Sequence, residues 1–482
     1  MTRTHSGRSG GSEQAGLSLG GWLLIKAISL KTCKRFCEII HNLQNPPESA
    51  LIAPRTAVSL RALTPFPESE SSISLAVFNT CAYRQTVNRK LGYLFERFPA
   101  FTQTFCAREL AELYRQGATP PVYSIRRPAE ARPANIPLEN IPVYYLPNTN
   151  SLGFKLRTKL ISSRIKNLWS GSGDLRDKGR FREAIFLGHK LKAAGVSHLH
   201  VHFAGLASRT AWWIKRLYNI PYSFTGHAND IFCPKPDQRL DLADLVRDAT
   251  FVVVVSDFGA NWLRSRFSDS AGKIHRVYNG LDLSRFKPAA PASGPLRLLT
   301  VGRLIEKKGF RYLVDACHLL REAGLSFDCK IVGEGPELSR LQRLIDDYKL
   351  SDVVRLTGPL PQTELTELLS RSSIFVFPAV HDSAGDTDNL PTVLIEAMAS
   401  RLPIISTDIA GIPEIVQRNE NGILVPEKDP AQLETAIRTI AGDTTLLERF
   451  GRASRRIAEE KFTLSATVGQ LKQLFAQHGL DV

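Results

Sequence analysis

Two successive series of short apolar strands, each alternating with helical segments, constrain this 482-residue chain most strongly. A linker rich in Pro, Ala and Ser, FKPAAPASGP at 286–295, separates the two series. Strands that alternate with helices form parallel sheets covered by helices on both faces. The chain is also too long for one compact core, so we predict an α/β protein with two doubly wound domains facing each other across a cleft.

The predicted domain boundaries follow this pattern. Residues 1–88 contain Gly, Ser, Arg and Pro stretches without a sustained period, and we expect them to be disordered or a wrongly assigned N-terminal extension. The first domain is predicted at 89–285 and the second at 286–460. The segment 461–482 is predicted to be an amphipathic helix, with no strand after it, that packs back on the first domain.

Apolar runs mark the individual strands. In the first series they lie at 91–94, 121–125, 142–146, 198–203, 222–225 and 251–256. In the second series they are LRLLTVG, FDCKIVG, VVRLTG, IFVFPA, LPIIST and GILVP. A helix is predicted at 104–116, where apolar residues recur at helical spacing before Gly117.

The net charge indicates which kinds of partner the chain can bind, and the cysteines indicate which kinds of site it can form. A net charge of +15 favours anionic partners, namely nucleic acid, a phospholipid surface or phosphorylated substrates. We expect no nucleic-acid partner, because the chain has no motif for sequence-specific recognition. The seven scattered cysteines include no CxxC pair and predict neither a disulfide framework nor a zinc site. The apolar run at 17–30 is too short to span a bilayer, and we expect a cytoplasmic protein.

The segment 155–192 is dense in Lys and Arg, with aromatic and leucine side chains between them. One interpretation is a solvated helix face. The other is contact with an anionic membrane surface, which predicts peripheral association with the inner face of the cell membrane.

Two cations follow the strand LRLLTVG. Arg303 and Lys308 are suited to hold a diphosphate through charge-assisted hydrogen bonds, and Gly302 allows a ligand to approach the backbone. Held there, the two cations would also stabilise negative charge that develops on a departing nucleoside diphosphate. Two solvated surface cations are the alternative.

Two acids flank a later helix start. Pro391 suits the first turn of a helix, and the free N–H groups at such a start attract phosphate oxygens. Glu396, further inside this helix, is placed to accept hydrogen bonds from both hydroxyls of a ribose, and Asp388 in the preceding loop is placed to touch a sugar hydroxyl. Together with the two cations, these acids indicate a sugar-nucleotide ligand.

These motifs resemble a known family. GRLIEKKGF, VGEGPE, DTDNLPTVLIEAMAS and GIPEIVQRNENGILVPEKD are similar to the C-terminal half of the GT4 retaining glycosyltransferases of the GT-B fold. RFPAFTQTF, HVHFA, SFTGHANDIF, VVSDF and VYNGLDLSRFKP resemble its colanic-acid and exopolysaccharide branch. The similarity extends over about 90–475. It implies two Rossmann-like domains, a nucleotide-sugar donor bound mainly by the second domain, and no metal or other cofactor.

The resemblance also assigns roles to individual residues. Glu396 is the second acid of the family's E-x7-E motif and is expected to bind the donor ribose, while Arg303 and Lys308 match the diphosphate-binding pair. His227 and Asp388 are the catalytic candidates near the reacting centre. Further donor contacts are expected from Gly302, Glu334, Asn389, Leu390 and Pro391, and acceptor-side contacts from Thr102, Thr104 and His202.

The chain departs from the family pattern at two positions. Asp388 stands where Glu is usual, and Asn389 stands where Gly is usual. We expect Asn389 to adopt whatever backbone shape Gly supplies, since Asn tolerates left-handed geometry. Asp386 is a nearby acid that could share the role of Asp388.

The strand HLHVHF carries three histidines at alternate positions. His200 and His202 share one face of this strand and could mimic metal ligands. The sequence offers no third ligand beside them, so no metal is expected.

The resemblance implies retaining transfer of a hexosyl group from a UDP- or GDP-sugar to a polysaccharide or lipid-linked oligosaccharide acceptor in cell-surface polysaccharide biosynthesis. The departures at Asp388 and Asn389 leave open a catalytically impaired sugar-nucleotide-binding or scaffold protein of the same fold. A basic nucleic-acid-binding protein and a different GT-B enzyme, such as a phosphorylase or an epimerase, are further alternatives.

Overall fold

The computed structural model describes residues 89–100, 103–128, 136–148, 151–154, 158, 178–232, 242–288 and 294–482. All of them belong to one compact unit, Gln85–Val482. The predictions for 1–88, for Thr102 and for most of the basic segment, 155–157 and 159–177, lie outside the described residues.

The N-terminal domain is built on a parallel sheet. Its strands are β1 (Arg89–Arg97), β2 (Val122–Arg126), β3 (Val143–Tyr145), β4 (His198–His202), β5 (Tyr222–Gly226), β6 (Val252–Val254), β7 (Ile274–Arg276) and β14 (Leu480–Asp481). The spatial order is β3-β2-β1-β4-β5-β6-β7, and β14 pairs with β1. The strand order therefore reverses between β1 and β4.

Helices cover both faces of this sheet. They are α1 (Thr104–Arg115), α2 (Lys178–Ala193), α3 (Leu206–Tyr218), α4 (Asn229–Phe232), α5 (Leu242–Asp248) and α6 (Asp257–Arg266). In α1 the buried residues Cys106, Leu110 and Leu113 recur at helical spacing and pack on one face of the sheet. α2 and α3 pack on the opposite face through Ile185, Leu187 and other apolar side chains. The sheet is thereby buried on both sides, as parallel sheets require.

The C-terminal domain repeats this architecture. Its strands are β8 (Leu296–Val301), β9 (Phe327–Val332), β10 (Val354–Gly358), β11 (Ile374–Phe377), β12 (Ile404–Thr407) and β13 (Gly422–Val425), in the order β10-β9-β8-β11-β12-β13. Its helices are α7 (Phe310–Glu322), α8 (Leu338–Asp347), α9 (Gln362–Ser370), α10 (Thr392–Ala399), α11 (Ile412–Ile415), α12 (Pro430–Ala441) and α13 (Thr444–Lys461). Two doubly wound parallel sheets confirm the predicted α/β architecture.

The end of the chain returns to the N-terminal domain. α14 (Leu464–Gln477) places Val468 and Phe475 in the same apolar cluster as Leu91 and Leu110. The predicted absence of a strand after this helix is wrong, because β14 pairs with the first residues of β1, where Arg89 N donates to Gly479 O at 3.2 Å. The backbone groups at the start of β1 thus gain partners that the sequence pattern did not reveal.

In the part of the chain that the structure describes, none of the helices combines the length and the apolar character needed to cross a bilayer.

Candidate active site

The carboxyl ends of the central strands of both sheets open on one cavity. In each sheet the strand order reverses, at β1 and β4 and at β8 and β11, and such switch points are where doubly wound sheets bind ligands. The cavity has a volume of about 910 Å³. Residues of both domains line it, among them Arg97, Thr104, Phe105, His202, His227, Gly302, Arg303, Lys307 and Asp388.

A group of four charged side chains lies at the C-terminal side of this cavity, and two of them, Lys307 and Asp388, line it. The Lys308 ammonium is ion-paired with Asp388 Oδ2, and Lys307 Nζ lies 3.5 Å from Asp388 Oδ1 and 2.9 Å from Asp386 Oδ2. Burial alone would raise the pKa of Asp388, but the ammonium groups of Lys308 and Lys307 outweigh it and hold this pKa below its ordinary value. Asp388 is therefore a carboxylate with both oxygens engaged by lysines.

Lys307 was missed by the sequence analysis, although it lies next to Lys308. It is 4% exposed, and its ammonium also donates to Thr387 O at 3.4 Å. The signal was the doubled lysine in EKKG, which forms a 3₁₀ turn, Glu306–Lys308. Asp386, which the sequence analysis named as an acid that could share the role of Asp388, accepts a hydrogen bond from Lys307 Nζ at 2.9 Å.

Gly309 fixes the position of these lysines. It follows Lys308 with φ +65° and precedes the first residue of α7. A Cβ atom at this position would lie 1.8 Å from Pro378 O, so only glycine fits between the turn and the end of β11. The turn and the loop after β11 are thereby held in contact, which brings the lysines to Asp388.

Glu396 faces the N-terminal domain. It lies on α10, is 7% exposed, and accepts a hydrogen bond from Arg108 Nη2 of α1 at 3.3 Å. Burial raises the pKa of Glu396 above its ordinary value, while Arg108 and, to a smaller degree, Arg285 and Gln362 oppose this rise. The sequence analysis did not predict a partner from the other domain for this carboxylate.

A second cavity adjoins Arg108. Its volume is about 590 Å³, and it is lined by α1, by the segment 281–286 between the domains, by Gln362 and by the start of α14. Three residues that act on the pKa of Glu396, namely Arg108, Arg285 and Gln362, line this cavity. Asp388 lines the first cavity, so the two acids of the motif are associated with different parts of the cleft.

His227 lies in the loop after β5 and is 7% exposed. Its backbone N–H donates to Asp230 Oδ1 at 3.1 Å, and its Nε2 lies 3.2 Å from His202 Nδ1. The Nε2 of His202 in turn lies 3.2 Å from Glu109 Oε1. Burial, together with the nearby His202, lowers the pKa of His227 well below its ordinary value, so this ring is neutral at pH 7.

Asn389 joins the two domains. Its Nδ2 donates to His227 O at 2.7 Å, and its Oδ1 accepts a hydrogen bond from Ser256 Oγ. The φ of Asn389 is not positive, so Asn at this position does not need to tolerate a left-handed backbone. The position uses the side-chain amide, which reaches the N-terminal domain, and not the backbone freedom of glycine.

The sequence of this chain matches the models of two known protein families. The model for glycosyl transferases group 1 matches residues 284–457, and the model for glycosyltransferase family 4 matches residues 106–285. The two matches overlap at residues 284–285 and together extend over residues 106–457, which include most of both domains. The chain belongs to the GT4-type glycosyltransferases of the GT-B fold.

Curated relatives of this GT4-type protein occur in polysaccharide biosynthesis. A protein assigned as the colanic acid biosynthesis glycosyltransferase WcaL of Escherichia coli is 35% identical over 234 residues, which is 48% of this chain and 57% of the relative. The amylovoran biosynthesis glycosyltransferase AmsK of Erwinia amylovora is 33% identical over 42% of this chain and 51% of the relative. The matched region thus spans little more than half the length of these relatives.

Solved structures show the same GT-B fold. A glycosyltransferase from Rickettsia africae has a TM-score of 0.62 at 17% identity and covers 81% of this chain and 98% of its own. HepE of Anabaena, in complex with UDP, has a TM-score of 0.61 at 16% identity and covers 80% of this chain and all of its own. At these identities the likeness concerns the fold alone.

The other predicted site residues of the GT4-type protein lie in varied environments. Thr104 begins α1 and lines the first cavity, as do Gly302 and the exposed Arg303. Pro391 caps α10, but Leu390 is 7% exposed and belongs to the apolar core. The side chain of Glu334 is exposed, and its backbone carbonyl accepts from Leu304 N at 2.8 Å.

Proposed function

We propose that this protein is a retaining glycosyltransferase that moves a hexosyl group from a nucleotide-diphosphate sugar to a glycan or lipid-linked oligosaccharide acceptor in the biosynthesis of extracellular polysaccharide. The observation that carries this proposal is the cavity of about 910 Å³ at the facing switch points, which Arg303, Lys307, Asp388 and His227 line. This set combines cations for a diphosphate with polar groups for a sugar.

The donor, a UDP- or GDP-sugar, binds along the C-terminal side of the cleft in this proposal. Its diphosphate lies against Arg303 and Lys308 and against the start of α10 at Pro391. Its ribose hydroxyls donate to Glu396, and its base extends toward the second cavity, in which Gln362 and Arg285 offer polar side chains. The sugar lies in the first cavity between Asp388 and His227.

Lys308 contacts two anions in this arrangement, the Asp388 carboxylate and the diphosphate. Its ammonium is paired with Asp388, and it can turn one of its three N–H donors to a phosphate oxygen while it keeps Asp388 as a partner. Lys307 remains on Asp386 and contributes charge without contact. Because three cations surround the diphosphate position, we propose that neither a metal nor another cofactor is needed for transfer.

Transfer in the proposed reaction proceeds on one face of the sugar. The bond between the anomeric carbon and the diphosphate oxygen breaks, and the acceptor hydroxyl forms a new bond to that carbon from the side of the leaving group. The diphosphate oxygen takes the proton of the acceptor hydroxyl. The neutral ring of His227 orients the sugar and needs no change of charge, which agrees with its lowered pKa.

The acceptor approaches from the N-terminal domain, where Thr104 and His202 line the cavity. A lipid-linked acceptor would require contact with the inner face of the cell membrane. In the described part of the basic segment, Lys190 and Lys192 are exposed, although they lie 6.0 and 5.9 Å over the rings of Tyr144 and Tyr218. Flotation with anionic vesicles tests this association: salt-sensitive binding supports it, and equal binding to neutral vesicles contradicts it.

Donor binding and turnover test the proposed function directly. Purified protein is screened against UDP- and GDP-sugars for thermal stabilisation, since a ligand that binds only the folded state raises the melting temperature. The stabilising donor is then incubated with glycan or lipid-linked acceptors, and the released nucleoside diphosphate and the anomeric configuration of the product are measured. Acceptor-dependent release with retained configuration supports the proposal, and an inverted product contradicts it.

A sugar-nucleotide-binding protein without turnover is the second candidate. The observation that favours it is the engagement of both Asp388 oxygens by lysines, which leaves this carboxylate few free lone pairs for a sugar hydroxyl. Such a protein would be stabilised by a donor and would release no nucleoside diphosphate with any acceptor.

A further inference from the structure

Three potential metal ligands lie close together at the N-terminal side of the larger cavity. Cys106 of α1, His202 at the end of β4 and His227 after β5 each offer one ligand atom, and these atoms lie within 4.8 Å of one another. Cys106 and His202 are 1% and 2% exposed. A thiol and two imidazoles from three separate elements form a ligand set typical of zinc.

The spacing of the two imidazoles suits a shared ion. His202 Nδ1 and His227 Nε2 lie 3.2 Å apart. Two nitrogen atoms bound to one tetrahedral Zn²⁺ at about 2.0–2.1 Å would lie about 3.3–3.4 Å from each other. The rings therefore need to move apart by only about 0.2 Å to bind the same ion.

A carboxylate supports the first of these rings. His202 Nε2 lies 3.2 Å from Glu109 Oε1, and Tyr93 OH donates to the same oxygen at 2.9 Å. Metal-binding histidines commonly donate their second N–H to such a carboxylate, which fixes the tautomer and the ring orientation. In His202 this arrangement leaves Nδ1, the nitrogen that faces His227, as the ligand atom.

An overlapping group of Glu109, His200 and His202 is the less suitable site. Both ring nitrogens of His200 are already hydrogen-bonded, Nδ1 to Ser223 Oγ at 2.9 Å and Nε2 to Thr225 Oγ1 at 3.0 Å. A metal at this group would have to break one of these buried bonds. In the group that contains Cys106, the buried hydrogen bond that a metal would replace joins two of its own members, His202 Nδ1 and His227 Nε2.

We propose that Cys106, His202 and His227 bind one Zn²⁺ ion, with a water molecule from the cavity as the fourth ligand. The Cys106 thiol loses its proton to solvent when the S–Zn bond forms, and His227 carries its own proton on Nδ1. The entry path is the cavity, which both histidines line. The ion is not a cofactor of transfer.

Zinc bound at this site would inhibit donor binding in the cleft. His227 would be held by the metal instead of by the sugar, so Zn²⁺ lowers donor binding reversibly. This consequence rests on the proposed function, whereas the binding of the metal does not.

Cobalt titration of the full-length, chelator-treated protein tests the site, because Co²⁺ reports thiolate ligation in its absorption spectrum. We expect one equivalent to give a tetrahedral spectrum with a thiolate-to-cobalt charge-transfer band, which Zn²⁺ then removes. Cys106→Ser should lose this band. The matched control Cys317→Ser, at another buried free cysteine, should retain it. Glu109→Gln should weaken Zn²⁺ binding about 10- to 100-fold.

A missing charge-transfer band, or one that persists in Cys106→Ser, overturns the proposal. If Cys106→Ser does not fold, X-ray absorption of the zinc-loaded wild-type protein decides the matter. One sulfur at about 2.3 Å supports the site, and a shell of nitrogen and oxygen alone overturns it. These measurements use no sugar nucleotide, so failure of the transferase assay leaves their outcome unaffected.

Discussion

Arg108 of the N-terminal domain and Glu396 of the C-terminal domain form a buried ion pair, with Arg108 Nη2 3.3 Å from Glu396 Oε1. The two side chains are 10% and 9% exposed. The carboxylate that the sequence pattern assigns to the donor ribose is therefore shared with the opposite domain. In the proposed donor complex, the ribose and Arg108 would therefore share this carboxylate.

Removing Arg108 should destabilise the protein. Arg108→Ala leaves the Glu396 carboxylate buried without its closest cation, and breaking such a buried pair costs roughly 3 kcal/mol. Chemical denaturation measures the loss, and Arg108→Ala with Glu396→Gln together should recover part of it. The control Arg371→Ala removes an exposed pair with Glu367 and should change stability by less than about 1 kcal/mol. Equal effects of Arg108→Ala and Arg371→Ala would contradict the assignment.

Replacing Asp388 should separate nucleotide binding from transfer. Asp388→Asn removes the counter-charge of Lys308 and Lys307, so UDP or GDP should bind up to about tenfold tighter, equivalent to about 1.4 kcal/mol. Transfer should fall, because the sugar loses its carboxylate. Asp386→Asn removes a counter-charge of Lys307 but not of Lys308, so it should raise the nucleotide affinity by a smaller factor. Calorimetry measures the affinities, and weaker nucleotide binding by Asp388→Asn would be the opposite of this expectation.

The amide of Asn389 should hold the two domains together. Asn389→Gly, which restores the residue usual in the family, removes the bonds to His227 O and Ser256 Oγ and should lower stability by about 1–3 kcal/mol. Thermal melting measures this loss. Asn261→Ala, at an exposed position of α6, is the matched control and should have little effect. If Asn389→Gly melts at the wild-type temperature, the interdomain role of this amide is wrong.

Acid should destabilise the fold through His198. Burial, with smaller contributions from Arg89 and His478, lowers the pKa of His198 to about 3, whereas an unfolded histidine titrates near pH 6.5. The folded state then binds fewer protons than the unfolded state, so the free energy of unfolding is fully retained above pH 6.5. It falls between pH 6.5 and 3 by up to about 1.4 kcal/mol per pH unit for this residue. Urea denaturation at pH 7, 6 and 5 should show a shallower decline for His198→Gln, and identical slopes would contradict this origin.

The sequence predicted the architecture well because strand and helix periods are local properties. The apolar runs that end near Gly302 and His202 predicted the strands β8 and β4, and the position of Glu396 within its helix followed from the proline that precedes it. β14 was missed, since two residues give no detectable period.

Contacts between side chains that are far apart in the sequence could not be predicted in the same way. The pairing of Arg108 with Glu396 and the bonds from Asn389 to Ser256 depend on how two domains meet, and single-chain patterns carry no information on this. The role of the Asn389 amide could not be predicted for the same reason, because its partners His227 O and Ser256 Oγ belong to the other domain. The ligand set at Cys106 was likewise hidden, because its members are far apart in the sequence.

The most direct test of the account is the release of nucleoside diphosphate from a panel of UDP- and GDP-sugars, with and without acceptor, by the wild-type protein and by Glu396→Ala. The account predicts acceptor-dependent release from one donor, and a roughly 10- to 100-fold lower kcat/KM for Glu396→Ala because the ribose loses a charged hydrogen-bond acceptor. Glu364→Ala, at an exposed position of α9, should behave as wild type. No acceptor-dependent release from any donor, or undiminished turnover by Glu396→Ala, would contradict it.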